Sequence, residues 1–170
     1  MEKSKVAVIL GSSRLQGNTY QIANAICKEM DWQLFNLSDY EINYFDYDNA
    51  HATDDFLPLI TRLIEDYDAY LFATPVYWYA MSAQLKTFFD RLSDLLKFYK
   101  PLGRQLRGKA MGSLSCANDA ELIQSFGDPF EATADYLGMS YHGHMHTWLE
   151  EDEKPSPLLW NTVQAYLKAF

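Results

Sequence analysis

At 170 residues, 48% of them hydrophobic and 15% aromatic, the chain is long enough for one domain with a real core and too apolar for intrinsic disorder. A formal net charge of −9 argues against nucleic acid as a partner and gives no attraction to an anionic membrane. Two cysteines, Cys27 and Cys116, are too few for a disulfide framework and point to a reducing compartment. The apolar run at 6–10 is far too short for a signal sequence, and no run approaches membrane-spanning length, so a soluble cytoplasmic protein is expected.

In chain order, residues 5–10 are a short apolar run of the kind that forms a parallel strand buried on both faces. Ile22, Ala25, Ile26 and Met30 mark a first helical stripe, and 32–37 read as a second strand. Residues 39–53 form a long connection, a length often associated with function or mobility. Phe56, Ile60, Leu63, Ile64 and Tyr67 mark a second helix, with Asp54 or Asp55 as its cap. A third strand at 69–74 precedes a long helix capped by Ser82, with its stripe running from Leu85 through Phe88, Leu92 and Leu95 to Tyr99. Residues 101–108 read as a loop, and 109–115 as a fourth strand. Asp128-Pro129-Phe130-Glu131 predicts a capped helix start with Pro at the first helical position, and Gly138 its stop. Residues 140–148 read as a fifth strand, Glu150-Glu151-Asp152-Glu153 as a solvated loop, and Ser156-Pro157 as the opening of a last helix. Strict alternation with right-handed crossovers predicts one α/β domain spanning 1–170: a doubly wound, five-stranded parallel sheet in three α/β/α layers.

Two strand-to-helix loops stand out, because ligands bind at the carboxyl edge of such sheets. The first, after the first strand, reads G-S-S-R-L-Q-G-N-T over 11–19. A helix N-terminus offers unpaired N–H groups and partial positive charge, which suit phosphate. Ser12, Ser13, Asn18 and Thr19 add donors, and Gly11 and Gly17 permit close backbone approach. Arg14 either adds charge or pairs with a carboxylate across a subunit contact. The plain alternative is a polar turn with Asn18 or Thr19 as an ordinary helix cap. Neither G-x-x-x-x-G-K-[ST] nor G-x-G-x-x-G is present, which argues against a nucleotide triphosphatase and a Rossmann dehydrogenase and favours a phosphate monoester. The second loop, after the third strand, reads T-P-V-Y-W-Y-A-M-S. Pro75 fixes its exit; Val76, Tyr77, Trp78, Tyr79 and Ala80 follow, and aromatic faces of this kind stack on planar ligands or form a dimer contact.

The ordered pair G-S-S-R-x-x-G-N-T and T-P-x-Y, followed by L-K-x-x-x-D-R, resembles the NAD(P)H-dependent FMN reductase family of flavodoxin-like oxidoreductases. The motifs lie within 5–91, and the element order extends the likeness over nearly the whole chain. The resemblance implies a noncovalent FMN. Ser12, Arg14, Gly17, Asn18 and Thr19 would hold its phosphate, with Ser13 beside them. Pro75, Val76, Tyr77, Trp78, Tyr79 and Ala80 would line the isoalloxazine. Ser115, Cys116, Ala117 and Asn118 would meet its pyrimidine edge. That third loop departs from the family pattern, since it lacks the glycines many members carry there. Lys86, Asp90 and Arg91 read as structural or interface residues. The implied reaction is hydride transfer from NADPH or NADH to flavin N5 and then to a quinone, an azo or nitro compound, or free flavin, by a ping-pong course, in a homodimer or homotetramer. An electron carrier like flavodoxin and a non-enzymatic scaffold or sensor are the competing readings. No metal is expected: the related iron–sulfur flavoproteins carry a cysteine cluster after the second strand, and 39–53 hold no cysteine. His142, His144 and His146 alternate along the fifth strand and so are expected on one face, flanking the cleft or an interface. No G-x-S-x-G elbow supports a hydrolase around Ser115 and Cys116, and Cys116 reads as a small semi-buried thiol.

Overall fold

A computed structural model describes residues 4–149 and 155–170; the acidic run at 150–153 lies outside them. Five parallel strands form one sheet in the order β2-β1-β3-β4-β5: β1 Val6–Leu10, β2 Gln33–Asn36, β3 Ala69–Pro75, β4 Ala110–Ala117 and β5 Ser140–Trp148. The continuous apolar runs are buried along their whole length in β1 and β3, which carry helices on both faces. On one face, α1 (Asn18–Met30) and α6 (Pro157–Leu167) cover Val8, Leu10, Leu71, Ala73 and Leu114. On the other, α2 (Phe56–Asp66), α3 (Ala83–Lys97) and α5 (Asp128–Leu137) cover Ala7, Ile9, Tyr70, Phe72 and Met111. The doubly wound three-layer fold follows.

Several local expectations are corrected. Residues 101–108 are not a plain loop: Lys100–Gly103 form the short helix α4, continued by a 3-10 turn at Arg104–Leu106 that buries Leu106. Asp128 does not cap α5. A 3-10 turn, Gln124–Gly127, leads into it, Gly127 is the cap residue, and Asp128 and Pro129 are its first two residues. Gly138 ends it in the left-handed conformation, as expected. Asp54 and Asp55 divide the work before α2: Asp54 Oδ1 accepts from Phe56 N–H, while Asp55 Oδ2 accepts from Glu41 N–H.

The three histidines of β5 do not all share one face: His144 and His146 do, both meeting Ser115 Oγ, but His142 does not. Met111 pairs with Tyr141 but Ser113 with His144, so β5 holds one extra residue there. Gly143, at φ +88°, takes up this bulge, and Tyr166 Oη donates to its carbonyl at 2.9 Å. The bulge turns His142 toward Phe170, beside α6, while His144 packs against Phe126 and Phe130 on the opposite face. Among the described residues no helix is long and apolar enough to cross a membrane.

Candidate functional site

The strand order reverses direction at β1 and β3, and their ends are in register: Leu10 pairs with Ala73. The two unusual loops therefore begin side by side. Gly11 N–H donates to Ala73 O at 3.0 Å, and the buried Ser82, capping α3, donates its hydroxyl to Gly11 O at 2.7 Å and accepts from Leu85 N–H. A Cβ on Gly11 would stand 2.7 Å from Leu85 Cβ, so only glycine lets α3 approach this closely. Pro75 pairs with Cys116, which brings the loop after β4 alongside.

The three loops enclose an open cleft of about 650 Å³, within the range of about 300–1,000 Å³ usual for small-molecule sites. Ser12, Arg14, Gly17, Asn18 and Thr19 line one end; Pro75, Val76, Tyr77, Trp78 and Tyr79 line a second wall; Cys116, Ala117 and Asn118 line a third. Ser13, Ala80 and Ser115 do not line it. Ser13 Oγ bonds Tyr77 Oη at 2.7 Å and ties the first two loops together. Ala80 closes a turn against Tyr77, and Ser115 is buried behind the cleft. Asp119, Glu121, Leu122 and Ile123 also line it, and none was among the expected site residues. They fall in an irregular stretch with no periodicity. The apolar pair Leu122-Ile123 in an otherwise polar segment was the available signal.

The first loop suits an anion. Gly17 is the cap residue of α1 and makes no side-chain cap bond, so neither Asn18 nor Thr19 acts as an ordinary cap, and the first turn carries no acidic residue. Its leading N–H groups are thus left to a ligand. Ser12 shapes the loop, its hydroxyl accepting from Arg14 N–H at 3.2 Å. Asn18 Nδ2 donates one hydrogen to Leu149 O and keeps a second.

The second loop is strained. Tyr77 and Ala80 exchange backbone hydrogen bonds at 3.0 and 3.1 Å, and between them Trp78 and Tyr79 stand at φ +49° and +63°. Such a pair of left-handed residues normally calls for Asn-Gly. The strain holds Trp78 93% and Tyr79 67% exposed at the cleft wall. Burial pushes the Cys116 thiol up, against the opposing Thr147 and Thr19 hydroxyls, so it lines the cleft as a neutral thiol and not as a nucleophile.

A helix start without a side-chain cap and an aromatic wall suit a planar ligand that carries a phosphate. The sequence pattern of the NADPH-dependent FMN reductase family matches residues 4–144. A protein of Bacillus subtilis (strain 168), assigned as an NAD(P)H-dependent FMN-containing oxidoreductase, is 30% identical over 166 residues, covering 91% of this chain and 89% of its own. The solved structure of the Trp repressor binding protein from Bacillus subtilis matches with a TM-score of 0.66 at 26% identity, over 97% of this chain and 95% of that one. An FMN-dependent NADH-azoreductase from Bacillus anthracis, solved in complex with FMN, shares the fold, with a TM-score of 0.67 at 11% identity over 97% of each chain. The chain belongs to the NADPH-dependent FMN reductase family and is an oxidoreductase whose cofactor is FMN.

Proposed function

We propose that the cleft holds FMN and passes hydride equivalents from a reduced nicotinamide to a small acceptor: a quinone, an azo or nitro compound, or free flavin. The observation that carries this reading is the cleft's division into a donor-rich end at α1 and an aromatic wall after β3. When bound, FMN supplies a hydride acceptor at N5 and a donor to the second substrate. The N–H groups of Asn18 and Thr19, with Ser12 and Arg14, hold the phosphate; Thr19 is itself buried and Arg14 brings the positive charge. Pro75, Val76, Tyr77 and Tyr79 orient the ring, and Ala117 and Asn118 meet its far edge. Ser13 fixes the Tyr77 hydroxyl, so the wall and the phosphate loop keep one spacing.

Two features support NADH as the preferred donor. Among the described residues Arg14 is the one cation lining the cleft, and Asp119 and Glu121 of the third loop line it too. Lys100 and Arg104 lie on α4 and the turn after it, and do not line the cleft. A 2′-phosphate adds negative charge to a site on a chain of net charge −9. The kcat/KM for NADH is expected to exceed that for NADPH by about tenfold, equal to about 1.4 kcal/mol, with the ratio falling as salt is added. Steady-state assays with each donor and a quinone measure this. Parallel double-reciprocal lines are expected, because both substrates use one cleft. Equal or better use of NADPH would overturn the donor assignment, and absence of turnover with either would overturn the enzymatic reading.

We place the protein in the cytoplasm as a homodimer or homotetramer. Both cysteines are free and buried, as suits a reducing compartment, and Trp78 stands exposed where a second copy can cover it.

A further inference from the structure

Hydrogen bonds to three of its carbonyls hold the third loop in place. Cys116 O accepts from Val76 N–H at 3.0 Å, and Ala117 O from Leu149 N–H at 3.1 Å. Asp119 O accepts from a side chain, His146 Nε2, at 3.1 Å. His146 belongs to β5 and does not line the cleft. Behind it runs a continuous line of polar groups between β4 and β5. His146 Nδ1 meets Ser115 Oγ at 2.7 Å, and Ser115 Oγ meets His144 Nε2 at 2.9 Å. His144 Nδ1 meets Ser113 Oγ at 2.8 Å, and Ser113 Oγ meets Tyr141 Oη at 2.9 Å.

Hydrogen-bond valence assigns every proton on this line. A carbonyl only accepts, so His146 Nε2 carries the hydrogen that binds Asp119 O. In a neutral ring Nδ1 then accepts, which takes the single hydroxyl hydrogen of Ser115. Ser115 has no second hydrogen, so His144 Nε2 donates to it. His144 is neutral: burial, and then the neighbouring His146, pull its pKa down to about 4. Its Nδ1 therefore accepts from Ser113, and Ser113 accepts from Tyr141. All the donors point from Tyr141 toward the cleft. The line ends on a carbonyl, which takes no proton, so it delivers none to the site. It is a brace that fixes one tautomer at each ring.

We propose that His146 is a positioning residue for the FMN site, holding the third loop by the Asp119 carbonyl, with Ser115 and His144 setting its tautomer. The inference rests on the reading of this cleft as the FMN site. Its test uses the full chain and compares wild type, His146→Leu, His146→Gln and Ser115→Ala. FMN affinity is measured by flavin fluorescence, and the histidine tautomers by side-chain nitrogen NMR of the flavin-free protein at about pH 8, where ordinary histidines are neutral. His146→Leu is expected to weaken FMN by about tenfold, the scale of one lost hydrogen bond. His146→Gln, which keeps an N–H donor, is expected to recover most of that loss. The wild type is expected to show Nε2–H on both His144 and His146, and His146→Leu to lose the single tautomer of His144. Should His146→Leu not fold, Ser115→Ala makes the same test, with a weakening of about threefold and mixed tautomers at both rings. Wild-type FMN affinity in His146→Leu, or Nδ1–H on either ring of the wild type, overturns the proposal. A wild type that binds no FMN brings down the cleft assignment instead, a distinguishable outcome.

Discussion

Replacing Arg91 with Leu is expected to destabilise the protein by about 3–5 kcal/mol, the scale for removing one partner of a buried ion pair. Arg91 is only 2% exposed although fully charged. Its Nε donates to Asp94 Oδ2 at 2.8 Å, its Nη1 to Asp54 Oδ2 at 2.5 Å and to Asn43 O at 3.0 Å, and its Nη2 to Asp54 Oδ1 and His51 O. The guanidinium also lies over the Phe56 ring, 4.7 Å from its centroid. One side chain on α3 thus ties down the long connection that follows β2. Its loss leaves two buried carboxylates without a cation and takes the donor from the Asn43 carbonyl, while the His51 carbonyl keeps only the Asp54 N–H. Arg91→Lys is expected to rescue little, because an ammonium cannot reproduce the planar fork. Removing all three charges together, as Arg91→Met with Asp54→Asn and Asp94→Asn, is expected to cost less than Arg91→Leu alone. Urea denaturation measures the loss, and limited proteolysis locates it between residues 40 and 55. A loss under about 1 kcal/mol would show that the ion network does not hold this segment. The pH dependence has a defined sign. Burial pushes the Asp54 carboxyl up, but Arg91 and the N–H groups of Asn43 and Phe56 outweigh it and hold it below its ordinary value of 3.8. Its contribution is present above that value and is lost as pH falls through the lowered one.

Replacing Trp78-Tyr79 with Asn-Gly is expected to stabilise the flavin-free protein and to impair it as an enzyme. Left-handed backbone costs an ordinary L-residue about 1–2 kcal/mol, and both residues adopt it. Asn and Gly suit these positions, although glycine returns up to about 1 kcal/mol through the entropy of the unfolded chain. Trp78 gives up almost no buried surface, being 93% exposed. A net gain of about 1–2 kcal/mol follows, which for a chain of this size raises Tm by about 2–8 °C. Two of the three rings of the cleft wall are lost at the same time, so FMN affinity and turnover are expected to fall by at least about tenfold, as for aromatic faces that stack on a planar ligand. Calorimetry and flavin titration on the same preparation read both effects. Destabilisation would show that the turn is not strained, and unchanged flavin affinity would show that the rings do not serve the site. Stability surrendered at a cleft wall is the pattern expected of function.

How much of this was legible in the sequence varies by element. The strands were, because apolar runs such as 69–74, bounded by Asp68 and Pro75, allow little but a doubly covered strand. The adjacency of the two diagnostic loops followed from topology alone. The bulge at Gly143 was not legible: His-Gly-His alternates as a straight strand would, and only the pairing of Ser113 with His144 reveals the extra residue. The conformation of Trp78-Tyr79 ran against residue preference, so no preference-based reading finds it. Arg91 was recognisable as structural, but its partners Asn43, His51 and Asp54 lie 37–48 residues away, and no local pattern names them. Asp119 to Ile123 were missed because an irregular segment lining a cleft has no period to read.

In the proposed function this chain, with FMN, takes hydride from a reduced nicotinamide and gives it up to a small acceptor. The most direct test is an anaerobic titration of the FMN-reconstituted protein, following the long-wavelength flavin band. One equivalent of NADH is expected to bleach it, and one equivalent of quinone added afterwards to restore it. Bound flavin that keeps its colour with both NADH and NADPH would contradict the account.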